Sequence, residues 1–394
     1  METNFKIKYI KCSESSLKEI GFDSSYIHKG LYKHKFVSIK ISSLTCAQAN
    51  ILKQTALAVG TDAAVHREVI TGRVELSDCI LSGSVSQIIK ICEKLKHQPF
   101  KLQVLANQII SLVDTKPAIL NVRDSVLDFS KKTYLMGILN ITPDSFSDGG
   151  LYNTLDNAIK HYNELVESGA DIVDIGGEST RPYSSALNVN EEVKRVIPVI
   201  EKIRLIDDKT LISIDTRNAL TAQLALEAGA DIINDISALE YDENMISVLK
   251  QYNCPIILNH SKGTPDIMQE NIQYNDVVTE IYDYFDKKIS FLLQNGVNLS
   301  QIIIDPGIGF SKTIEHNFEI INRLVELKSL KCPILVGHSR KSFLQETVGS
   351  NNNELLDFAT AVVSSRLIDN GANIIRVHNI EKHIDLLKIT NLLV

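Results

Sequence analysis

Eight short apolar runs in the last two-thirds of this 394-residue chain each end in polar or charged residues able to do chemistry. They are LMGIL before Asn140, DIVDIGGE before Ser179-Thr180-Arg181, LISI before Asp215, and DII before Asn234-Asp235. The other four are PIIL before Asn259-His260, III before Asp305, PILVG before His338-Ser339-Arg340-Lys341, and NII before Arg376-Val377-His378. Between them lie amphipathic segments at 155–167, 191–203, 219–228, 277–293, 315–327 and 355–368. Strands and helices that alternate in this way build parallel βαβ units. The pattern predicts an α/β fold, a (β/α)8 TIM barrel whose strand ends and βα loops form one site on one face. Three helices stop at a glycine that leads straight into a strand, at Gly169, Gly229 and Gly371, where a left-handed cap costs glycine nothing.

Residues 1–116 read as an additional small N-terminal α/β domain and 117–394 as the barrel, with the boundary at Thr115-Lys116-Pro117. In the first part, 36–41 alternates like a strand and 47–59 is spaced like a helix ending at Gly60. Segments 64–70 and 74–81 read as a hairpin around Thr71-Gly72, and 84–96 as an amphipathic helix. His66 and Arg67 are the residues here that invite a functional reading, but a solvated strand face accounts for them better. The sequence does not assign this domain a role. A second hairpin, 119–122 with 126–129 turning at Asp124-Ser125, stands directly before the first barrel strand, where it could plug the barrel's N-terminal end.

At 44% hydrophobic and 23% charged, the composition is that of a globular protein. No apolar run approaches the roughly 20 residues of a membrane span, so no membrane partner is expected. The N-terminus lacks a signal-peptide pattern. Six cysteines without CxxC spacing read as reduced thiols of a cytoplasmic protein. A net charge of −7 argues against nucleic-acid binding. An anionic ligand must therefore be held by a local basic pocket.

Two connections, 140–154 and 178–190, are long, polar and rich in Gly, Ser and Pro, as binding loops are. A strand-end Asp or Asn can simply cap the next helix. Many of them in series, with Arg and Lys among them, favour a pocket.

Met136-Gly-Ile-Leu-Asn-Ile-Thr-Pro-Asp-Ser-Phe-Ser-Asp-Gly-Gly150 and Asp171-Ile-Val-Asp-Ile-Gly-Gly-Glu-Ser-Thr-Arg-Pro182 resemble the two signatures of the dihydropteroate synthases. The resemblance runs from about residue 118 to the C-terminus. It continues through Ser213-Ile-Asp-Thr216, Ile233-Asn-Asp-Ile236, Asp305-Pro-Gly-Ile-Gly-Phe310, Ser339-Arg-Lys-Ser342 and Arg376-Val-His378. It implies a folate-biosynthesis transferase that joins 6-hydroxymethyl-7,8-dihydropterin pyrophosphate to p-aminobenzoate, a target of sulfonamides, and a homodimer.

The resemblance also implies roles. Asp215, Asn234, Asp305, Lys341 and Arg376 would hold the pterin. Phe146, Thr180, Pro182, Phe310 and Ser342 would hold p-aminobenzoate. Asn140, Thr180, Arg181, Arg376 and His378 would hold the pyrophosphate, with Asn140 also on Mg²⁺. Asp144, Arg181, Lys341 and Arg376 would carry catalysis, through early departure of pyrophosphate in an SN1-like course. Guanidinium forks suit phosphate, and Mg²⁺ characteristically takes few protein ligands beside phosphate oxygens and water.

The chain departs from the family pattern at Asn259, where Met is common, and at Asn379, where Asp is common. Two other readings are a pterin-binding methyltransferase barrel and an inactive pterin-binding paralogue. Thr180-Arg181-Pro182 and Arg376-Val377-His378 weigh against the first. Asp144, Phe146 and Arg181 weigh against the second.

Overall fold

The structure is a computed structural model that describes residues 6–113, 119–141, 151–178, 187–262 and 272–393. The chain divides into two compact units, Met1–Lys116 and Pro117–Val394.

The first unit contains α1 (Glu14–Glu19), α2 (Ile27–His34), β1 (Phe36–Thr45), α3 (Cys46–Ala58), β2 (Asp62–Val65), β3 (Leu76–Ser84), α4 (Val85–Leu95) and α5 (Leu102–Val113). Its three strands pair antiparallel in the order β1-β3-β2. Ile39, Ile41 and Leu81 alternate onto the buried face and meet Leu52, Ile88, Ile91 and Leu95 from the helices. Thr45 and Ser84 start α3 and α4 with capping boxes that close on Gln48 and Gln87. The tight hairpin expected at Thr71-Gly72 is not formed. A 3₁₀ turn at Arg67–Val69, capped by the His66 ring, intervenes, and only Asp62–Val65 pairs with β3. His66 is thus engaged in a local turn.

The second unit opens with a hairpin, β4 (Ile119–Val122) and β5 (Ser125–Asp128). Eight parallel strands follow: β6 (Tyr134–Asn140), β7 (Ile172–Gly176), β8 (Leu211–Asp215), β9 (Ile232–Asp235), β10 (Ile256–Asn259), β11 (Ile302–Asp305), β12 (Leu335–Gly337) and β13 (Ile374–Val377). Their order, β11-β10-β9-β8-β7-β6-β13-β12, places each strand beside its neighbours in sequence, with β13 returning to β6. A bridge from Ile304 to Ile334 closes the sheet into a TIM barrel.

The connecting helices are α6 (Leu151–Glu167), α7 (Val189–Arg204), α8 (Ala219–Glu227), α9 (Met245–Tyr252), α10 (Val277–Gln294), α11 (Ile314–Arg323), α12 (Ser342–Val348), α13 (Asn353–Asp369) and α14 (Ile380–Leu393). The helix expected at 315–327 ends sooner, passing into a 3₁₀ turn over Leu324–Leu330. Gly169, Gly229 and Gly371 all have the positive φ expected of left-handed caps.

Alternation along each strand sorts the side chains into two sets. Outward residues such as Val173, Ile175, Ile212, Ile214, Leu258 and Val336 pack under the helices. Inward residues Met136, Ile172, Leu211, Ile232, Ile257, Ile303, Leu335 and Ile374, one per strand, form an apolar layer with Leu120, Val122 and Leu127 of the hairpin. The hairpin therefore packs against the layer nearest the strand starts.

Candidate active site

Two residues further along each strand, on the same inward face, stand Ile138, Asp174, Ser213, Asn234, Asn259, Asp305, Gly337 and Arg376. The period of two that made the layer below apolar makes this one polar. Register puts Asp174 level with Ser213, Asn259 level with Asp305, and Gly337 level with Arg376. Asn140, Gly176 and Asp215 lie above, at the strand ends.

Arg376 is the hub of this layer. Its Nε donates to Asp174 Oδ2 at 2.6 Å and its Nη2 to Asp215 Oδ2 at 2.9 Å. Asn234 Nδ2 donates to the same Asp174 oxygen at 2.9 Å. Bare glycines on two strands leave room around this network. A side chain at Gly337 would begin 3.7 Å from both Arg376 Cδ and Asp305 Oδ2, and one at Gly176 would begin 3.5 Å from both Asn140 Oδ1 and Asp215 Cβ. Asn140, Asp215, Arg376 and Asp305 therefore share one end of the barrel.

The strand-end acids are not helix caps. Asn218, Thr313 and Asn352 stand at the N-caps of α8, α11 and α13. Asp305 instead accepts from Gly307 N at 2.8 Å, turning the chain sharply after β11. Gly307 and Gly309 both have positive φ, and both are crowded: an added Cβ would meet the His260 carbonyl at one and Lys341 Cδ at the other. That turn brings Lys341 into place. Its Nζ donates to the Ile308 carbonyl and lies 3.9 Å from the centroid of the Phe310 ring. Ser342 stands exposed in the first turn of α12. His378 is half-buried, with its backbone N–H and its Nδ1 both on Ser339 Oγ.

Enclosure shifts the charges. Burial raises the carboxyl of Asp215 above its usual range, and the Asp174 charge beside it adds to the effect against the pull of Arg376. Burial likewise raises Asp305, opposed by Lys341. The Lys341 amine is lowered to about 7, by burial first, against the attraction of Asp305.

Three buried polar atoms of this layer, Asp174 Oδ1, Ser213 Oγ and Asn259 Oδ1, have no hydrogen-bond partner among the described residues. Each such atom costs about 1–3 kcal/mol when left unpaired. A ligand with complementary donors and acceptors could pair them.

Five of the residues expected in the site, Asp144, Phe146, Thr180, Arg181 and Pro182, lie outside the described residues. The flanks of the second long loop are described. Glu178 accepts from Leu187 N at 3.0 Å and from Arg217 Nη2 at 2.9 Å, tying together the residues on either side of 179–186.

The sequence reading passed over Asp174, which lies inside the quoted DIVDIGG string. Its signal was the period-two step from Ile172. It passed over Lys312 as well, whose buried Nζ donates to the carbonyls of His260 and Phe310 and contacts His260 Nδ1 at 3.1 Å. Asn259, set aside as a departure, sits in the polar layer. Asn379 donates to Asp357 at 2.9 Å, beside the fork of Arg340 on the same carboxylate. An aspartate there would face a second carboxylate.

The family described as pterin binding enzyme matches residues 136–378 of this chain. A dihydropteroate synthase of Synechocystis is 42% identical over 287 residues, covering 73% of this chain and 99% of that protein. A protein of Halobacterium salinarum named as a probable bifunctional folylpolyglutamate synthase/dihydropteroate synthase is 36% identical over 363 residues. That alignment takes in 92% of this chain but 43% of the relative, so it reaches well into the first unit. The solved dihydropteroate synthase of Xanthomonas albilineans in complex with 7,8-dihydropteroate superposes with a TM-score of 0.63 at 32% identity, over 70% of this chain and 98% of that one.

Proposed function

We propose, from the premise that this chain belongs to the dihydropteroate synthase family of pterin binding enzymes, a division of labour among its strand-end residues. The reaction is the family's transfer in folate synthesis: p-aminobenzoate takes the place of pyrophosphate on the dihydropterin methylene.

The pterin lies in the polar layer. Asp215, Asn234 and Asp305 read its amide-like edge and exocyclic amine, and Lys341 meets it from the β12 side. Arg376 supports the ring. Two of its three nitrogens already serve Asp174 and Asp215, which leaves Nη1 and the guanidinium faces for ligand. Phe310 and Ser342, at the rim near Lys341, receive p-aminobenzoate, with Phe146, Thr180 and Pro182 as their expected companions. His378, oriented by Ser339, and Asn140 face the diphosphate, with Thr180 and Arg181 as their expected companions.

The C–O bond to pyrophosphate breaks first, and the pterin ring spreads the positive charge left on the methylene. The neutral amine of p-aminobenzoate then forms the C–N bond and releases its proton. The Asp215 and Asp305 carboxyls line the cation's surroundings, with Asp144 as their expected companion, so that fixed dipoles and charges take the place of water there.

The donor set suits Mg²⁺. Among the described residues no cluster of three or more His, Cys, Asp or Glu is placed for a metal, whereas Asn140 offers an amide oxygen at an exposed strand end beside Gly176. A hard cation that takes most of its ligands from diphosphate and water fits such a site. When bound, it would offset the charge gathering on the leaving group.

We read Met1–Lys116 as an accessory α/β domain and the protein as a cytoplasmic homodimer. All six cysteines are free, and no helix among the described residues is long and apolar enough to cross a membrane.

The observation that carries this reading is the Arg376–Asp174–Asp215–Asn234 network set beside Asp305 and Lys341 at one barrel end. Pyrophosphate release, measured with the dihydropterin diphosphate, should require both p-aminobenzoate and Mg²⁺. Release at the same rate without p-aminobenzoate, or binding of the pterin with no release, would contradict it.

A further inference from the structure

We propose that Asp174 is the positioning residue of the pterin floor, holding Arg376 and Asn234 in the orientations in which they meet the ring. The proposal rests on the assignment of Arg376 and Asn234 to the pterin.

Asp174 projects inward from the middle of β7 and is wholly buried. One of its oxygens receives both Arg376 Nε, from β13, and Asn234 Nδ2, from β9. It thereby ties together two strands that are not neighbours in the sheet.

The consequence for Arg376 is geometric. A guanidinium is planar, and one hydrogen bond leaves that plane free to swing. Asp215 on Nη2 alone would not fix it, whereas Asp174 on Nε together with Asp215 on Nη2 does. Arg376 Nη1 and both faces are then presented in one direction.

The consequence for Asn234 is chemical. An amide side chain has a donor end and an acceptor end of nearly the same shape. An ionised carboxylate accepts only, so the Asn234 NH₂ must turn toward Asp174 and its Oδ1 must turn away. Asp174 thus decides that Asn234 offers a ligand an acceptor from that oxygen. An amide at position 174 could accept or donate, and the choice would be lost.

A role confined to packing does not explain the residue. Its second oxygen is buried without a partner among the described residues, and its charge stands next to Asp215. A buried side chain that served only to fill space would be more stable there as an apolar group.

The isosteric substitution Asp174→Asn tests this. Calorimetric affinity for 6-hydroxymethylpterin should fall roughly 10- to 100-fold, the range for hydrogen bonds to charged groups. The KM for the pterin diphosphate should rise and that for p-aminobenzoate should stay put. In Arg376→Ala and Asn234→Ala backgrounds the loss caused by Asp174→Asn should shrink, because the groups it positions are gone. Undiminished loss in both backgrounds, or unchanged pterin affinity in the single variant, would overturn the proposal. If Arg376→Ala and Asn234→Ala leave pterin affinity intact, the site assignment itself fails and takes the proposal with it. Should Asp174→Asn not fold, Asp174→Ser, which leaves space for a water, is put through the same cycle with the same expectations.

Discussion

The barrel interior holds two layers one step apart, and they could hardly be more different. Nearest the hairpin, Met136, Ile172, Leu211, Ile232, Ile257, Ile303, Leu335 and Ile374 satisfy one another completely. Two residues on, Asp174, Ser213, Asn234, Asn259, Asp305 and Arg376 bring charges, amides and a hydroxyl, some of which share partners, and three of their buried atoms have no partner among the described residues. The backbone is the same parallel ladder in both, so the difference lies in the side chains alone. The lower layer gives stability. The upper layer forgoes some of it, a cost that the proposed pterin site would account for, since functional sites tend to trade stability for activity. Such division is natural to a barrel, where chemistry collects at the strand C-termini.

The largest effect should come from the hub of the upper layer. Arg376→Ala should lower kcat/KM roughly 10²- to 10³-fold, as loss of a preorganised charge donor does. Calorimetry with the pterin alcohol and with its diphosphate ester separates its roles. Loss confined to the ester would make Arg376 an anion ligand alone and remove it from the floor.

The lower layer should answer in the opposite sense. Ile303 is fully buried, and Ile303→Ala should lower unfolding free energy by about 2–5 kcal/mol while leaving turnover per folded molecule nearly unchanged. Denaturant unfolding beside a steady-state assay checks this. An activity loss as large as that of Arg376→Ala would mean that the two layers are not separable.

A smaller effect is expected in the pH response. Lys341 has its amine lowered to about 7 by burial, against an unfolded value near 10. Between those values the folded state binds fewer protons than the unfolded one, so its stability rises with pH across that window. Lys341→Met should flatten the rise, seen as thermal midpoints that change less between pH 7 and pH 10. The sign also governs binding: an anionic ligand draws a proton onto Lys341, so diphosphate-ester binding at pH 8 should take up protons. Calorimetry in buffers of different ionisation enthalpy should show the uptake vanish in Lys341→Met.

The smallest lies outside both layers. Asn379→Asp replaces a donor to Asp357 with a like charge and should cost about 1 kcal/mol in chemical denaturation, with pterin affinity unmoved.

Much of this contrast was legible before any coordinates. The eight apolar runs mark the strands because parallel strands are buried on both faces, and their polar ends mark the rim. The inward polar layer was half visible. Asp215, Asn234 and Asp305 sit at or next to run ends, where polarity stands out. Asp174 is enclosed by Ile172, Val173 and Ile175, and strict counting by two is needed to set it apart. Lys312 was invisible, because a lysine in a loop after Phe310 normally points to water, and only folding of the Gly307–Gly309 turn encloses it. In the first unit, Thr71-Gly72 carried the composition of a tight hairpin. The His66 cap won locally by starting a 3₁₀ turn, which no pairwise turn rule anticipates.

The most direct test is a crystal structure of the protein with a bound 6-hydroxymethylpterin. The account predicts the ring seated in the upper layer against Arg376, hydrogen-bonded to Asp215, Asn234 and Asp305, with Asp174 still joined to Arg376 and Asn234. A ring bound elsewhere, or one held in that layer without contact to any of those three side chains, would contradict it.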